Sequence, residues 1–243
     1  MRKNILLSLL LIGCAPVWHA PSDFIYAPIS AGKYTLATYQ HLSDISSPIH
    51  IYIEGDGNSF NARGIPTSDP TPHGTLVRDM AARDTSPNVV YLARPCQYIM
   101  SSACTASDWT DGRFSPDIID SMTQAIKTLA QNRPIVLIGY SGGAMVSGII
   151  INQNPEMKVM HWKTVAGVLN HSDWTAHFGD KPLTKSLNMT ALPRVPQTHY
   201  IVSGDRVVPN HLSRKWVGGE KLLEIPNATH NKIPELHSGF YSY

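Results

Sequence analysis

Pro134-Ile135-Val136-Leu137-Ile138-Gly139-Tyr140-Ser141-Gly142-Gly143-Ala144-Met145-Val146 decides how this 243-residue chain is read. The apolar run Pro134 to Ile138, closed by a glycine, predicts a buried strand. The small-residue stretch from Gly142 to Asn152 predicts a helix, so Gly139-Tyr140-Ser141-Gly142-Gly143 must be a sharp strand-to-helix turn. In a G-x-S-x-G turn of this kind the serine takes a strained backbone conformation, and the residues two before and two after it must be nearly free of side chain. Gly139 and Gly143 fill those places. The strain lifts the Ser141 hydroxyl above the carboxyl edge of a sheet, and the next helix aims its N-terminal N–H groups at the same point. Such a site suits acyl transfer. The pentapeptide alone arises often by chance, so its weight depends on the partners that the rest of the chain supplies.

Working outward, apolar runs that predict strands recur at Lys33–Tyr39, Ile49–Ile53, Asn88–Ala93, Pro134–Gly139, Thr164–Leu169, His199–Ser203 and Lys221–Ile225. Helical patterns lie at Gly74–Arg83, Ser115–Gln131, Gly142–Asn152 and Asn210–Trp216. The second has the clearest start, with Ser115 as N-cap, Pro116 at the first helical position and Asp117 in the first turn. Strand and helix alternate, which predicts an α/β fold with a mostly parallel sheet covered by helices on both faces. In open parallel sheets ligands bind beyond the carboxyl ends of the strands. Three long connections leave such ends, at 55–73, 94–114 and 170–198, and are expected to wall a pocket. None is long enough for a large cap domain.

A serine hydroxyl is a poor nucleophile until a histidine can take its proton, and the histidine needs a carboxylate to fix its tautomer and stabilise the imidazolium. The strand ending at Ser203 runs into Gly204-Asp205-Arg206-Val207-Val208-Pro209, which puts Asp205 just past a carboxyl end. The next strand, ending at Ile225, runs into Pro226-Asn227-Ala228-Thr229-His230. Serine, acid and histidine thus follow in that order, and over Ile49 to His230 the chain resembles the α/β-hydrolase superfamily. The resemblance implies Ser141 as nucleophile, His230 as general base and then acid, and Asp205 as its orienter. Asp173 and His237 are the rival acid and histidine. Two preorganised donors must face the developing oxyanion. One is expected to be the N–H of Gly142. The other comes from Glu54-Gly55-Asp56-Gly57, which resembles the H-G-x-G segment of esterases with Glu54 where histidine is common. Asp56 is the favoured donor, Gly57 the next. His171, Trp174, Arg94, Trp109 and Arg113 stand near these segments and can be read either as pocket residues or as loop packing.

The amino terminus reads as a targeting signal. Arg2 and Lys3 precede an apolar run, Ile5 to Ile12, too short to span a bilayer. The run ends in Leu11-Ile12-Gly13-Cys14, which resembles a bacterial lipoprotein lipobox. That implies removal of residues 1–13, acylation at Cys14 and durable membrane anchoring by several acyl chains. Ala15 in the following position implies the outer membrane, facing the periplasm. Residues 14–30, rich in proline, are read as lipidated terminus and tether, and 31–243 as the α/β-hydrolase domain. In an oxidising periplasm Cys96 and Cys104 are expected to form a disulfide across a short loop. Loss of residues 1–13 takes the formal charge from +2 to 0, so basicity gives no argument for nucleic acid. No C-x-x-C or H-E-x-x-H occurs, and neither metal nor cofactor is implied. The expected activity is hydrolysis of a small-molecule or lipid carboxylic ester in the cell envelope. A non-catalytic binding protein on the same fold, or an amidase, thioesterase or acyltransferase, is the alternative, and the oligomeric state is left open.

Overall fold

A computed structural model describes residues 18–217, 221–234 and 236–242. Cys14 and the signal segment lie outside them. The elements in chain order are β1 (Ile25–Tyr26), β2 (Ile29–Ala31), β3 (Tyr34–Leu36), β4 (Thr38–Leu42), β5 (Ile49–Ile53), α1 (Leu76–Arg83), β6 (Asn88–Leu92), α2 (Pro116–Ala130), β7 (Ile135–Tyr140), α3 (Gly142–Gln153), β8 (Val159–Val165), α4 (His171–Phe178), β9 (Gln197–Val202), α5 (Asn210–Trp216) and β10 (Lys221–Ile225).

Eight strands form one sheet in the order β1-β4-β6-β5-β7-β8-β9-β10. From β6 to β10 every pairing is parallel, and β1 and β4 add an antiparallel edge. The period of two along the central strands sorts their side chains into two cores. Ile49, Ile51 and Ile53 of β5, with Ile135 and Leu137 of β7, pack under α2 and α3. Tyr52, Val136, Ile138 and Tyr140 face the opposite layer, with Val77 and Met80 of α1 and Phe240 near the carboxyl terminus. α3 is buried from Gly142 to Ile151, which explains why its sequence is apolar all round. The described residues adopt the expected α/β architecture, a mostly parallel sheet with no large cap.

Four local departures have physical causes. The stretch expected as a tether contributes β1, paired with β4, and β2, paired with β3. Trp18 also docks, its Nε1–H donating to Asp79 Oδ1 at 2.9 Å and its ring meeting Tyr39 edge-on. Lys33–Tyr39 splits into β3 and β4, which belong to different sheets. β8 starts earlier than its apolar tail suggested and stops at Val165, because Ala166 turns at φ 49°. Finally, α4 occupies ground expected as loop. Asn170 caps it by accepting from the Asp173 N–H, and Gly179 ends it in the left-handed conformation.

Candidate functional site

Ser141 stands between β7 and α3 with φ 51° and ψ −119°, a conformation that costs a non-glycine residue of order 1–3 kcal/mol. The neighbouring glycines make it attainable. A Cβ on Gly139 would lie 2.5 Å from Gly143 O, and one on Gly143 would lie 2.5 Å from Ile53 O. Both distances are inside van der Waals contact, so the turn excludes any side chain at either position. The backbone closes around the serine, with Ser141 N–H donating to Val165 O and Val168 N–H donating to Ser141 O, each at 3.0 Å.

The structure brings Ser141, His230 and Asp205 together. His230 Nε2 lies 3.1 Å from Ser141 Oγ, and His230 Nδ1 lies 2.8 Å from Asp205 Oδ2. The other carboxylate oxygen of Asp205 accepts from Val207 N–H and Val208 N–H, each at 2.8 Å, and the carboxylate is fully buried. A carboxylate so fixed sets the tautomer with the proton on Nδ1, leaving Nε2 free to accept from the serine. Tyr140, inside the pentapeptide, steadies the histidine segment by donating to His230 O at 2.8 Å. The rival residues are elsewhere. Asp173 pairs with Lys215 Nζ and Trp216 Nε1, each at 2.7 Å, and His237 packs beside Tyr200.

Glu54, Asp56 and Gly57 line the same cleft as Ser141 and His230, an open cavity of about 810 Å³. Asp56 presses against the helix start so closely that a Cβ on Gly142 would meet its Oδ1 at 2.0 Å. Among the described residues, no acceptor takes the backbone N–H of Asp56 or of Gly142, so both donors remain open to a bound oxygen. Gly55 is not a candidate donor, because its N–H is taken by Glu54 Oε1 at 2.9 Å.

Glu54 is buried behind the cleft, with Tyr91 O–H donating to its Oε2 at 2.9 Å. Burial pushes its carboxyl up to about 7, against the pull of the Gly55 N–H, the Tyr91 hydroxyl and the Arg78 and Arg94 charges. Asp56 behaves oppositely. Burial works against its charged form, but Arg113 and Arg94 hold its carboxyl below the ordinary value. Arg94 Nη1 donates to Oδ1 and Arg113 Nη1 to Oδ2, each at 2.8 Å. Arg94 and Arg113, which sequence alone left between pocket and packing, are therefore built into the site. So is Trp174, which lines the cleft and donates from Nε1 to Val207 O at 2.6 Å. His171 instead stacks on Phe114 in the interior, and Trp109 is buried with its Nε1–H on Thr67 O.

The disulfide Cys96–Cys104 is present, and it staples the loop that begins just after Arg94 and carries Gln97. Gln97 accepts from Arg94 N–H through Oε1 and donates from Nε2 to Gly55 O. Nothing in the sequence around Gln97 signals this role. Among the described residues no group of His, Cys, Asp and Glu side chains could hold a metal ion.

No protein-family model matches the chain, and no curated protein matches it by sequence. Solved structures do match it in shape. An α/β serine hydrolase without a lid from Xanthomonas campestris superposes with a TM-score of 0.53 at 14% identity, covering 89% of each chain. A serine hydrolase from the polyaromatic hydrocarbon-degrading bacterium Cycloclasticus zankles gives 0.60 at 10% identity, over 85% of this chain and 91% of the other. An α/β serine hydrolase homologue from Coxiella burnetii gives 0.55 at 13% identity, over 88% and 92%. The chain thus has the α/β-hydrolase fold, and its described residues form no large cap domain.

Proposed function

We propose that this protein is a serine hydrolase of carboxylic esters. The observation that carries the reading is the hydrogen-bonded line Asp205–His230–Ser141, ending on a hydroxyl that the turn at φ 51° presents to the cleft. Ser141 Oγ attacks the ester carbonyl carbon while its proton passes to His230 Nε2, and the buried Asp205 carboxylate stabilises the imidazolium. The N–H groups of Gly142 and Asp56, with Gly57 as alternate to Asp56, receive the oxyanion, each worth roughly 3–4 kcal/mol of barrier. Collapse expels the alcohol, protonated by His230. Water then attacks the acyl-enzyme by the same route and releases the acid. No step requires a cofactor.

The α/β serine hydrolase neighbours support a hydrolase on this fold. The test is turnover of a 4-nitrophenyl ester series, acetate to palmitate, by the protein and its Ser141→Ala and His230→Ala variants, together with labelling by a fluorophosphonate. Turnover and labelling that vanish with Ser141 support the reading. A folded protein that neither turns over esters nor takes the label is a binding protein instead. An alcohol acceptor that diverts product from acid to ester would make it an acyltransferase.

The proposed setting is the bacterial envelope, through acylation of Cys14. A Cys14→Ser chain recovered in the soluble periplasmic fraction, with the parent in membranes, is the expected outcome. Membrane association unchanged by the substitution would remove the anchor from the reading.

A further inference from the structure

A second cavity, of about 870 Å³, adjoins the Ser141 cleft, and the two share Phe60, Arg113 and Trp174 in their walls. The Arg113 guanidinium stands between the two rings, 5.5 Å from the Phe60 centroid and 5.8 Å from that of Trp174. Its plane is set by Nε–H donating to Thr110 O and Nη1 donating to Asp56 Oδ2. The side chain is 94% buried, and among the described residues nothing accepts from Nη2, which is not one of the buried polar atoms and so opens onto the cavity. A mostly buried guanidinium, held in place by the protein on two of its nitrogens, thus offers its third to whatever occupies the passage between two cavities.

On the side of the Ser141 cleft the charge around it has the same sign, while the adjoining cavity sets Asp111 and Asp180 against Lys181. Asp56 is one carboxylate shared by two guanidinium groups, Arg94 and Arg113, so the trio carries a net positive charge. Arg83 and Lys232 add two more cations to the cleft wall, against Asp79. Asp79 is already engaged by Trp18 Nε1 and Thr75 Oγ1. Glu54 is the remaining carboxyl of the wall, and burial works against its charged form. A planar fork donor in a poorly solvated wall selects a carboxylate over a neutral amide or hydroxyl of the same shape. Only Asp56 separates this fork from Gly142, so the group it binds must be joined to the reacting carbonyl by a short chain.

Resting on the hydrolase reading above, we propose that Arg113 is a specificity-determining residue and that the substrates are esters carrying a second, free carboxylate, which Arg113 binds between Phe60 and Trp174 while Ser141 attacks the ester carbonyl. Hydrolysis then releases a dicarboxylate when the free carboxylate is on the acyl part, or a hydroxycarboxylate when it is on the alcohol part, and the adjoining cavity receives the part of the molecule beyond that carboxylate.

The experiment uses the Ser141→Ala protein, which cannot turn over its ligand. Isothermal calorimetry at low salt compares monomethyl glutarate, an anion, with methyl 5-amino-5-oxopentanoate, its neutral amide counterpart. The anion is expected to bind at least tenfold more tightly. That preference should fall to within twofold in Ser141→Ala/Arg113→Gln and be intermediate in Ser141→Ala/Arg113→Lys. Equal binding of the two ligands to the parent Ser141→Ala protein overturns the proposal without recourse to any Arg113 variant. A preference that survives Arg113→Gln in a folded protein overturns it as well. Turnover of neutral 4-nitrophenyl butyrate by the protein with Ser141 intact is read separately, so failure of the hydrolase reading is distinct from failure of this one.

Discussion

At the scale of single residues the site depends on which atom of each partner is committed. Asp205 spends Oδ1 on two backbone N–H groups and Oδ2 on His230 Nδ1. Asp205→Asn keeps the first set, since the amide oxygen can still accept them, but turns an NH₂ toward Nδ1. That forces the imidazole proton onto Nε2, which then cannot accept from Ser141. The expected loss in kcat/KM on 4-nitrophenyl butyrate is about 10³–10⁴-fold, with an unchanged melting temperature to show that the fold persists. Glu54 gives a prediction in stability. Its ordinary carboxyl value of 4.5 is raised to about 7 in the folded chain. As pH rises through 4.5 the unfolded chain ionises while the folded chain keeps its proton, so stability falls across this window and levels off above about 7. The fall is about 3 kcal/mol from this one group. Denaturant unfolding at pH 5 and pH 8 should show most of that drop in the parent and its absence in Glu54→Gln, where Nε2 can donate to the Tyr91 hydroxyl instead. Parallel pH profiles for the two proteins would remove Glu54 as its source.

Among the elements, the loop closed by Cys96–Cys104 joins stability to the site. A cross-link over so short a loop is worth about 2–3 kcal/mol in the chain-entropy model. Gln97 inside this loop grips Gly55 O and Arg94 just before it grips Asp56, so its order helps fix the segment proposed to offer the second oxyanion donor. Replacing both cysteines by serine is therefore expected to lower the unfolding free energy by about that amount. It should also lower kcat more than a Leu36→Ala control of comparable destabilisation, a fully buried residue of β3 away from the cleft lining. Equal kcat in the two would confine the disulfide to stability. The sequence made some elements legible and not others, for definite reasons. β5, β7 and α2 announce themselves because burial on both faces, or a capped amphipathic pattern, leaves one reading. Ser141, Asp205 and His230 were legible because each follows a strand end, where backbone order alone predicts proximity. α4 was hidden because only His171 and Thr175 are buried along it, too few to mark a period. The Arg94–Asp56–Arg113 cluster was hidden because its members are brought together from loops 38 and 57 residues apart in sequence, which no local pattern encodes.

For the whole molecule, the decisive length is the distance from the proposed anchor to the folded body. Residues 14–30 read in isolation as a tether of some reach, but the folded body begins by Trp18, which is fastened to Asp79, Tyr39 and the Arg78 guanidinium. Four residue steps from Cys14 to Trp18 extend at most about 14 Å, roughly twice the depth of one headgroup layer of the bilayer. Trp18 sits beside Asp79, which lines the Ser141 cleft, so an acylated Cys14 would hold the cleft rim close to the membrane surface. The described residues contain no helix long and apolar enough to cross a membrane, and the proposed lipid is the attachment on which this geometry rests. A fluorophosphonate dye on Ser141, with an acceptor dye on lipid headgroups in proteoliposomes, reads the separation by energy transfer. Inserting twelve Gly-Ser residues between Ala15 and Pro16 adds a coil of roughly 19 Å root-mean-square span and should lower the transfer efficiency sharply. Trp18→Ala should lower it in part, by freeing the first turns of chain from the rim. Equal transfer in all three proteins would mean that the cleft is held at its height by something other than the leash at Cys14.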